Sequence, residues 1–203
     1  MASSVSSKTN SRPSPSPISL TNRDIWSPVL VLTAICAIAT LVLAMTNLLT
    51  AGTIAGNAAA KAAQSRRLVL AAAEYVPLDE AGQVYEARDA GGQSLGVVVT
   101  TRAKGYGGTI EVMTGIRADG AVNGVTILSM SETPGLGAKT KEPGFLNHFI
   151  GARVGQEKPL AVDKDGGTVN AVSGATISSR AVTDAVNQAI AVAGDYLGAA
   201  DSH

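Results

Sequence analysis

The feature that most constrains this sequence is a long stretch without charge: residues 25–60 contain no Asp, Glu, Lys or Arg. Within it, residues 29–49 are apolar except for three threonines and one asparagine. A helix needs about 20 such residues to cross a bilayer, and Trp26 stands where an interfacial indole is favoured. We therefore predict a transmembrane helix over residues 25–50. A cleaved signal peptide is the alternative, but its apolar core usually has only about 7–15 residues.

Composition divides the rest of the chain into three parts. Residues 1–24 are rich in Ser and Pro, which predicts a disordered tail. Residues 51–76 are largely Ala-rich and predict a helical stalk, which Pro77 ends because proline cannot continue a helix. Residues 77–203 carry β-branched runs separated by glycines, and they are numerous enough to enclose one hydrophobic core.

The patterns within residues 77–203 predict a small α+β domain with an antiparallel sheet and flanking helices. An Asp-Gly pair at Asp119 and Gly120 is typical of a hairpin turn. Apolar residues recur at helical spacing over residues 178–197, and residues 145–150 favour a short helix. Alternation and β-branched content predict strands at 83–89, 94–103, 109–118, 121–130 and 168–172.

Charge and residue counts exclude several function classes. Lys plus Arg and Asp plus Glu both number 16, so the chain has no basic surplus with which to bind nucleic acid. The single cysteine, Cys36, excludes a disulfide framework and a cysteine-clustered metal centre. The only internal histidine, His148, is predicted to be a packing or surface residue. We predict neither a metal site nor a catalytic acid–base residue.

The first motif that can bind a ligand is Ser173-Gly174-Ala175-Thr176, at the entrance to the last predicted helix. Backbone N–H groups at a helix start lack intrahelical partners, so they bind anions and the helix dipole adds to the attraction. A glycine there lets a ligand approach the backbone closely. The alternative is an ordinary turn followed by an ordinary N-cap at Ser178 or Ser179.

The second motif, Glu132-Thr133-Pro134-Gly135-Leu136-Gly137, follows the predicted strand 121–130. It lacks the spacing of a P-loop, and taken alone it is typical of a Pro-Gly turn with a solvated glutamate. A third glycine-rich segment, residues 105–108, favours a hairpin turn in the same way.

In their order and separation, these three segments together resemble the covalent FMN-binding domain family over about residues 105–190. Its members include the G subunit of the Rnf electron-transport complex and the C subunit of the sodium-translocating NADH:quinone reductase. The single anchor ahead of the domain fits this family as well. The sequence that follows Thr176 is more similar to the Rnf G subunit than to the C subunit of the reductase.

The resemblance implies a covalent cofactor and its attachment point. In the family, the threonine of the SGAT motif carries FMN through a phosphoester that a separate flavin transferase forms from FAD, which implies this role for Thr176. The remaining motif residues, Ser173, Gly174 and Ala175, then lie around the phosphate. The other loop would lie beside the flavin through Glu132, Thr133, Gly135, Leu136 and Gly137.

One position departs from the family pattern. Many members have Asp three residues before the serine of the motif, and this chain has Asn170 there. Asparagine keeps the hydrogen-bonding shape but loses the charge, so we expect modification to be slowed and not abolished.

The resemblance also implies function and location. We expect a redox subunit of a membrane-bound complex that couples electron transfer between ferredoxin and NAD to ion translocation. Two alternatives remain: a subunit of NADH:quinone reductase, and a non-redox anchored module that binds a phosphate ligand. The expected partners are the other proteins of the complex, membrane lipid and the flavin transferase, and not nucleic acid. The family places a single-pass protein in the plasma (inner) membrane, with residues 1–24 cytoplasmic and the flavin domain outside.

Overall fold

The structure is a computed structural model that describes residues 22–200, so the predicted tail lies almost entirely outside the described residues. The chain divides into two compact units, residues 1–54 and 55–203. One helix, α1 (Asn22–Val69), contributes to both of them. It includes the predicted membrane helix over residues 25–50, and it is long and apolar enough to cross a bilayer.

The described part of the first unit is a helix whose side chains from 29 to 49 are all exposed. Its threonine hydroxyls bond to backbone carbonyls one turn earlier. Thr33 donates to the Val29 carbonyl at 2.8 Å and Thr40 donates to the Cys36 carbonyl at 2.7 Å. These bonds satisfy the polar groups within the helix, as a hydrocarbon environment requires.

The second unit is built on a five-stranded antiparallel sheet in the order β1-β2-β3-β4-β5. Its consecutive strands are joined by short turns, and the Asp119-Gly120 turn has Gly120 at φ 78°, as the hairpin prediction requires. This confirms the predicted α+β class. The strands are β1 (Glu74–Pro77), β2 (Val84–Arg88), β3 (Ser94–Lys104), β4 (Thr109–Arg117) and β5 (Val122–Ser129).

A long C-terminal helix covers one face of the sheet. This helix, α3 (Thr176–Ala200), buries a stripe that includes Val182, Val186 and Ala189. The stripe packs against inward-facing residues of β3 and β4 such as Val99 and Ile110. Between β5 and α3 the chain forms short helical turns at Gly137–Lys141, α2 (Pro143–Leu146), Asn147–Phe149 and Asp163–Asp165.

The opposite face of the sheet is covered by the last turns of α1. Val69 and Leu70 are buried there with Val98 and Met113. The approach is close because Gly115 has no side chain, and a Cβ at that position would lie 2.5 Å from the Val69 carbonyl oxygen. Strand β4 is therefore covered on both faces, and its residues 112–116 are all buried.

Three predicted elements need correction: the stalk helix, the strand 168–172 and the start of the last helix. The stalk helix was expected to reach residue 76, but α1 ends at Val69 because burial of Val69 and Leu70 turns the chain onto the sheet. Residues 74–77 form β1 instead, an edge strand that pairs with β2. The predicted strand 168–172 makes only one bridge, between Val162 and Val169, because the next amides, of Ala171 and Val172, bond to the side chains of Asp163 and Ser179. The last helix begins at Thr176, two residues earlier than predicted.

Candidate functional site

A cleft of about 450 Å³ lies where α3 begins, and three segments line it. Tyr106 comes from the turn between β3 and β4, a second group comes from the loop after β5, and a third from the start of α3. We call it the glycine-rich cleft. Its lining residues are Tyr106, Glu132, Thr133, Leu136, Gly137, Gly174, Ala175, Thr176, Ile177 and Ser178.

The fold therefore brings together most of the site residues that the sequence predicted. Seven of the nine line the cleft, from both the SGAT and ETPGLG motifs. Gly135 and Ser173 do not line it. Gly135 takes φ +80° in the turn of its loop, and Ser173 is exposed just before the helix.

The attachment candidate, Thr176, is the first residue of α3 and is half-buried at the cleft wall. Gly174, two residues earlier, has φ +76°, a conformation that glycine adopts without strain. A Cβ at Gly174 would lie 3.1 Å from Cδ2 of Leu136, so this glycine lets the two loops approach each other. The first residues of α3, whose amides a helix leaves without intrahelical partners, form one wall of the cleft.

Glu132 joins the three segments. Its Oε1 accepts a hydrogen bond from the Gly107 amide at 3.1 Å, and its Oε2 accepts one from the Ser178 hydroxyl at 2.8 Å. Gly107 belongs to the Tyr106 turn and Ser178 to the first turn of α3. The half-buried carboxylate is therefore a structural tie at the cleft, which differs from the solvated charge that the loop sequence alone would favour.

The two serines after Thr176 do not cap the helix, which corrects that expectation. Both lie inside the first turn of α3 and are buried. Ser178 donates to Glu132, and the Ser179 hydroxyl accepts the Val172 amide at 3.0 Å. Because the helix starts earlier than its apolar stripe indicated, these hydroxyls hold the neighbouring loops instead of the helix end.

Asn170 lies outside the cleft lining and contacts His148. The Phe145 carbonyl lies 3.1 Å from Nδ1 of His148 and can only accept, so Nδ1 carries the hydrogen. Nε2 then accepts from the Asn170 amide at 3.2 Å. His148 is exposed and away from the cleft, as expected for a surface residue.

Sequence reasoning missed three of the lining residues as site residues, namely Tyr106, Ile177 and Ser178. Tyr106, Leu136 and Ile177 are 74%, 47% and 50% exposed, which is unusual for apolar side chains grouped at one opening. Leu136 was predicted as part of its motif. Tyr106 lies in the glycine-rich segment 105–108, which taken alone favoured a hairpin turn, and Ile177 carried no signal beyond following Thr176. Ser178 was assigned to the helix and not to the cleft.

The cleft fits a flavin nucleotide on three observations. Its opening is apolar, a helix start with a hydroxyl residue forms one wall, and glycines keep side chains out of its floor. A Cβ at Gly137 would lie 2.8 Å from the Ser178 hydroxyl oxygen. Among residues 22–200 no group of three or more His, Cys, Asp or Glu side chains is arranged to hold a metal ion.

Comparison with known proteins agrees with this chemistry. Residues 105–191 match the FMN-binding domain family. The chain is 36% identical to the G subunit of the Na(+)-translocating ferredoxin:NAD(+) oxidoreductase complex of Acetobacterium woodii, over 80% of this chain and 88% of that protein. It is 32% identical to the G subunit of the ion-translocating oxidoreductase complex of Methanosarcina acetivorans, over 88% and 97%.

Among solved structures, NqrC of Shewanella oneidensis matches with a TM-score of 0.47 and 28% identity, over 57% of this chain and 60% of that one. The relatives establish the class: a membrane protein with an FMN-binding domain. The chain belongs to the family that contains the G subunits of ion-translocating oxidoreductase complexes. The family resemblance in the sequence is thereby confirmed.

Proposed function

We propose that this protein is the electron-transfer subunit of a membrane-bound Rnf-type complex that couples ferredoxin/NAD electron transfer to ion translocation. This chain aligns with most of the length of two relatives, and both are G subunits of ion-translocating oxidoreductase complexes. The match to the FMN-binding domain supports the cofactor. When bound, FMN supplies reversible electron transfer, and the protein supplies position and electrostatics.

The observation that carries the proposal is the position of Thr176. It is the only threonine at the start of α3, it lines the glycine-rich cleft, and it stands beside helix amides that favour an anion. We propose that its Oγ1 forms a phosphoester with the FMN phosphoryl group of FAD, with AMP leaving, in a reaction that a flavin transferase catalyses. Ser173 and the backbone of Gly174 and Ala175 then bind the phosphodiester monoanion.

The other loop orients the ring and limits access of water. Leu136 faces the SGAT backbone across the cleft, and Tyr106 stands at the opening. Thr133 and the backbone at Gly135 and Gly137 complete this side. No side chain here is assigned acid–base chemistry, since Glu132 has both oxygens in hydrogen bonds.

Intact-mass measurement tests the attachment. The full chain is co-expressed with a flavin transferase, and the Thr176→Ala variant is compared with Thr133→Ala, which removes a hydroxyl from the same cleft. We expect the mass of FMN minus water on the wild type and on Thr133→Ala, and none on Thr176→Ala. FMN on Thr176→Ala would reassign the site. Unmodified wild type would favour the alternative of a non-redox phosphate-binding module.

A second measurement tests the assignment to an Rnf-type complex. Membranes that contain Thr176→Ala should lose ferredoxin:NAD oxidoreductase activity that depends on the complex. Loss of NADH:quinone reductase activity instead would favour the related function, that of the C subunit of the quinone reductase.

The proposed topology places the FMN domain on the extracytoplasmic side of the plasma membrane, with the other proteins of the complex as partners. Cys36 is the only native thiol and lies in the apolar helix, so an introduced surface cysteine is labelled selectively. We expect Lys158→Cys, at an exposed position of the domain, to react with an impermeant thiol reagent on intact cells. A cysteine in the N-terminal tail, Ser7→Cys, should react only after lysis, and the reverse pattern would overturn the orientation.

A further inference from the structure

A second cavity, of about 330 Å³, lies on the opposite face of the sheet from α3, within the unit of residues 55–203. It is formed between the last turns of α1 and strands β2 to β5. Three cationic side chains, Lys61, Arg66 and Arg102, line it together with one acid, Glu111. We call it the basic cavity.

The side chain of Arg66 has a buried donor for which the described part of the fold provides no acceptor. Its guanidinium carbon lies 3.9 Å from the centroid of the Tyr85 ring, and the side chain is half-buried. Its Nε is buried without a hydrogen-bond partner. Among the described residues no carboxylate lies within ion-pair distance of the guanidinium. A buried donor without a partner is costly, so a native fold that keeps one often binds something there.

The other charges of the basic cavity do not neutralise Arg66. Arg102 is held by Glu111 through Nε at 3.0 Å and Nη2 at 2.6 Å. Lys61 bonds only to the Leu128 carbonyl, which leaves its charge uncompensated. Lys61 and Arg66 are therefore two cations of this cavity without an acidic partner within residues 22–200, because the one acid in the lining, Glu111, is paired with Arg102.

We propose that the basic cavity binds a phosphate group. The planar fork of Arg66, fixed on Tyr85, suits two phosphate oxygens, and the Lys61 ammonium suits a third. A phosphate carries enough charge to match two cations, whereas a single carboxylate would leave one unmatched. The rest of the lining includes small and apolar residues such as Ala62, Met113 and Leu128, which accept an alkyl substituent on the phosphate.

Two kinds of molecule can supply such a phosphate group: a soluble phosphate ester and an anionic phospholipid through its headgroup. Two probes separate them, both used with the full chain in a phosphate-free non-ionic detergent. The first is sn-glycerol 3-phosphate, titrated calorimetrically. The second is phosphatidic acid, a phospholipid whose phosphate is likewise a monoester, counted as retained lipid by native mass spectrometry. Binding of either probe at one site per chain supports the proposal and identifies its source, and binding of neither overturns it.

The chain offers a matched control for the variant. Arg66→Gln and Arg67→Gln remove the same charge from adjacent positions, but Arg67 is exposed and does not line the basic cavity. We expect affinity for the bound probe to fall at least about tenfold for Arg66→Gln and less than about twofold for Arg67→Gln. Equal losses would show unspecific attraction and overturn the site, as would unchanged binding by Arg66→Gln.

A measurement on the wild type keeps the test independent of how well the variants fold. Acetylation of lysines is followed by peptide mass spectrometry with and without the bound probe. Lys61 should be protected at least about threefold, while the exposed Lys158 reacts at the same rate. Equal reactivity of Lys61 under saturating probe would overturn the proposal.

Discussion

The glycine-rich cleft and the basic cavity attract anions by different means. The cleft uses the backbone of a helix start, and its glycines keep space open. At Gly137 and Gly174 a Cβ would contact the neighbouring loop or helix. The basic cavity uses long side chains, with Arg66 stacked on Tyr85 and Lys61 beside it. Fixed backbone dipoles keep their position without a ligand, whereas a flexible side chain such as that of Lys61 loses rotamer entropy on binding.

The difference extends to the neighbouring charges. Near the cleft they are already paired: Glu132 accepts two hydrogen bonds, and Arg180 of α3 bonds to Asp165 through Nε at 2.7 Å and Nη2 at 2.6 Å. At the basic cavity, Nε of Arg66 has no hydrogen-bond partner, and the guanidinium has no ion-pair partner among the described residues. The charges beside the cleft are thus paired within the protein, whereas Arg66 and Lys61 at the basic cavity have no carboxylate partner among the described residues. Three predictions test the first half of this comparison.

The largest effect is expected from Gly137→Ala. The added Cβ would lie 2.8 Å from both Cβ of Glu132 and the Ser178 hydroxyl oxygen, so it separates the loop from α3. We expect about 3 kcal/mol lower free energy of unfolding, which is the usual upper range for overpacking. The fraction of chains that carry FMN after co-expression should fall at least about tenfold, measured by intact mass.

Gly144→Ala is the matched control for that substitution. A Cβ there meets nothing within 4 Å, and the residue lies in α2 with an ordinary backbone conformation. Stability should stay level or rise by about 0.4–1 kcal/mol, because alanine restricts the unfolded chain. If Gly137→Ala behaves like Gly144→Ala, the cleft is not shaped by its glycines.

A smaller effect is expected from Glu132, with two variants that separate structure from charge. Glu132→Ala removes the acceptor for the Gly107 amide and the Ser178 hydroxyl, so we expect about 2 kcal/mol lower free energy of unfolding. Glu132→Gln retains one acceptor and should lose less stability. By removing a negative charge near the cleft, it should raise the midpoint potential of the bound FMN.

Redox titration and denaturant unfolding of both variants decide between the two roles. The control is Glu142→Gln, which changes the same charge at an exposed position outside the cleft. A midpoint potential that moves equally in Glu132→Gln and Glu142→Gln would mean that the charge acts only at long range. Unchanged stability in Glu132→Ala would remove Glu132 from its structural role.

The sequence predicted the cleft and not the basic cavity for a physical reason. Residues 132–137 and 173–176 are contiguous motifs, so their spacing is visible without the fold. The residues of the basic cavity meet only because the end of α1 lies on the sheet, and no local pattern links Arg66 to Arg102. The same packing explains the missed strand β1. Alanine-rich sequence favoured a continuing helix, and the burial of Val69 and Leu70 overrode that propensity.

The role of Glu132 could not be predicted for a related reason. A glutamate before a Pro-Gly turn is ordinarily solvated, and only the position of α3 brings the Ser178 hydroxyl to its Oε2. The alternative of an N-cap at Ser178 or Ser179 failed together with it, since the apolar stripe marks the packed face of a helix and not its first residue. Strands β2 to β5 and the long helix, by contrast, follow from local periodicity and were predicted to within a few residues.

The smallest expected effect concerns the paired charges beside the cleft. The Arg180 guanidinium bonds to Asp165 and holds the pKa of that carboxyl below its usual 3.8. A depressed pKa means that the folded state binds the proton less well than the unfolded state. The contribution to stability is therefore complete above about pH 3.8 and is lost as the pH falls through the lower folded-state value.

Arg180→Gln should return the pKa of Asp165 to its ordinary range, which carboxyl NMR titration measures directly. Because both side chains are well exposed, the wild type should unfold at only a slightly higher temperature than the variant at neutral pH. That difference should vanish in acid, below the folded-state pKa of Asp165. FMN attachment should be unaffected, since this pair lies outside the cleft lining. A loss of FMN in Arg180→Gln would show that the paired charges help to build the cleft, and that its anion site does not rest on backbone and short side chains alone.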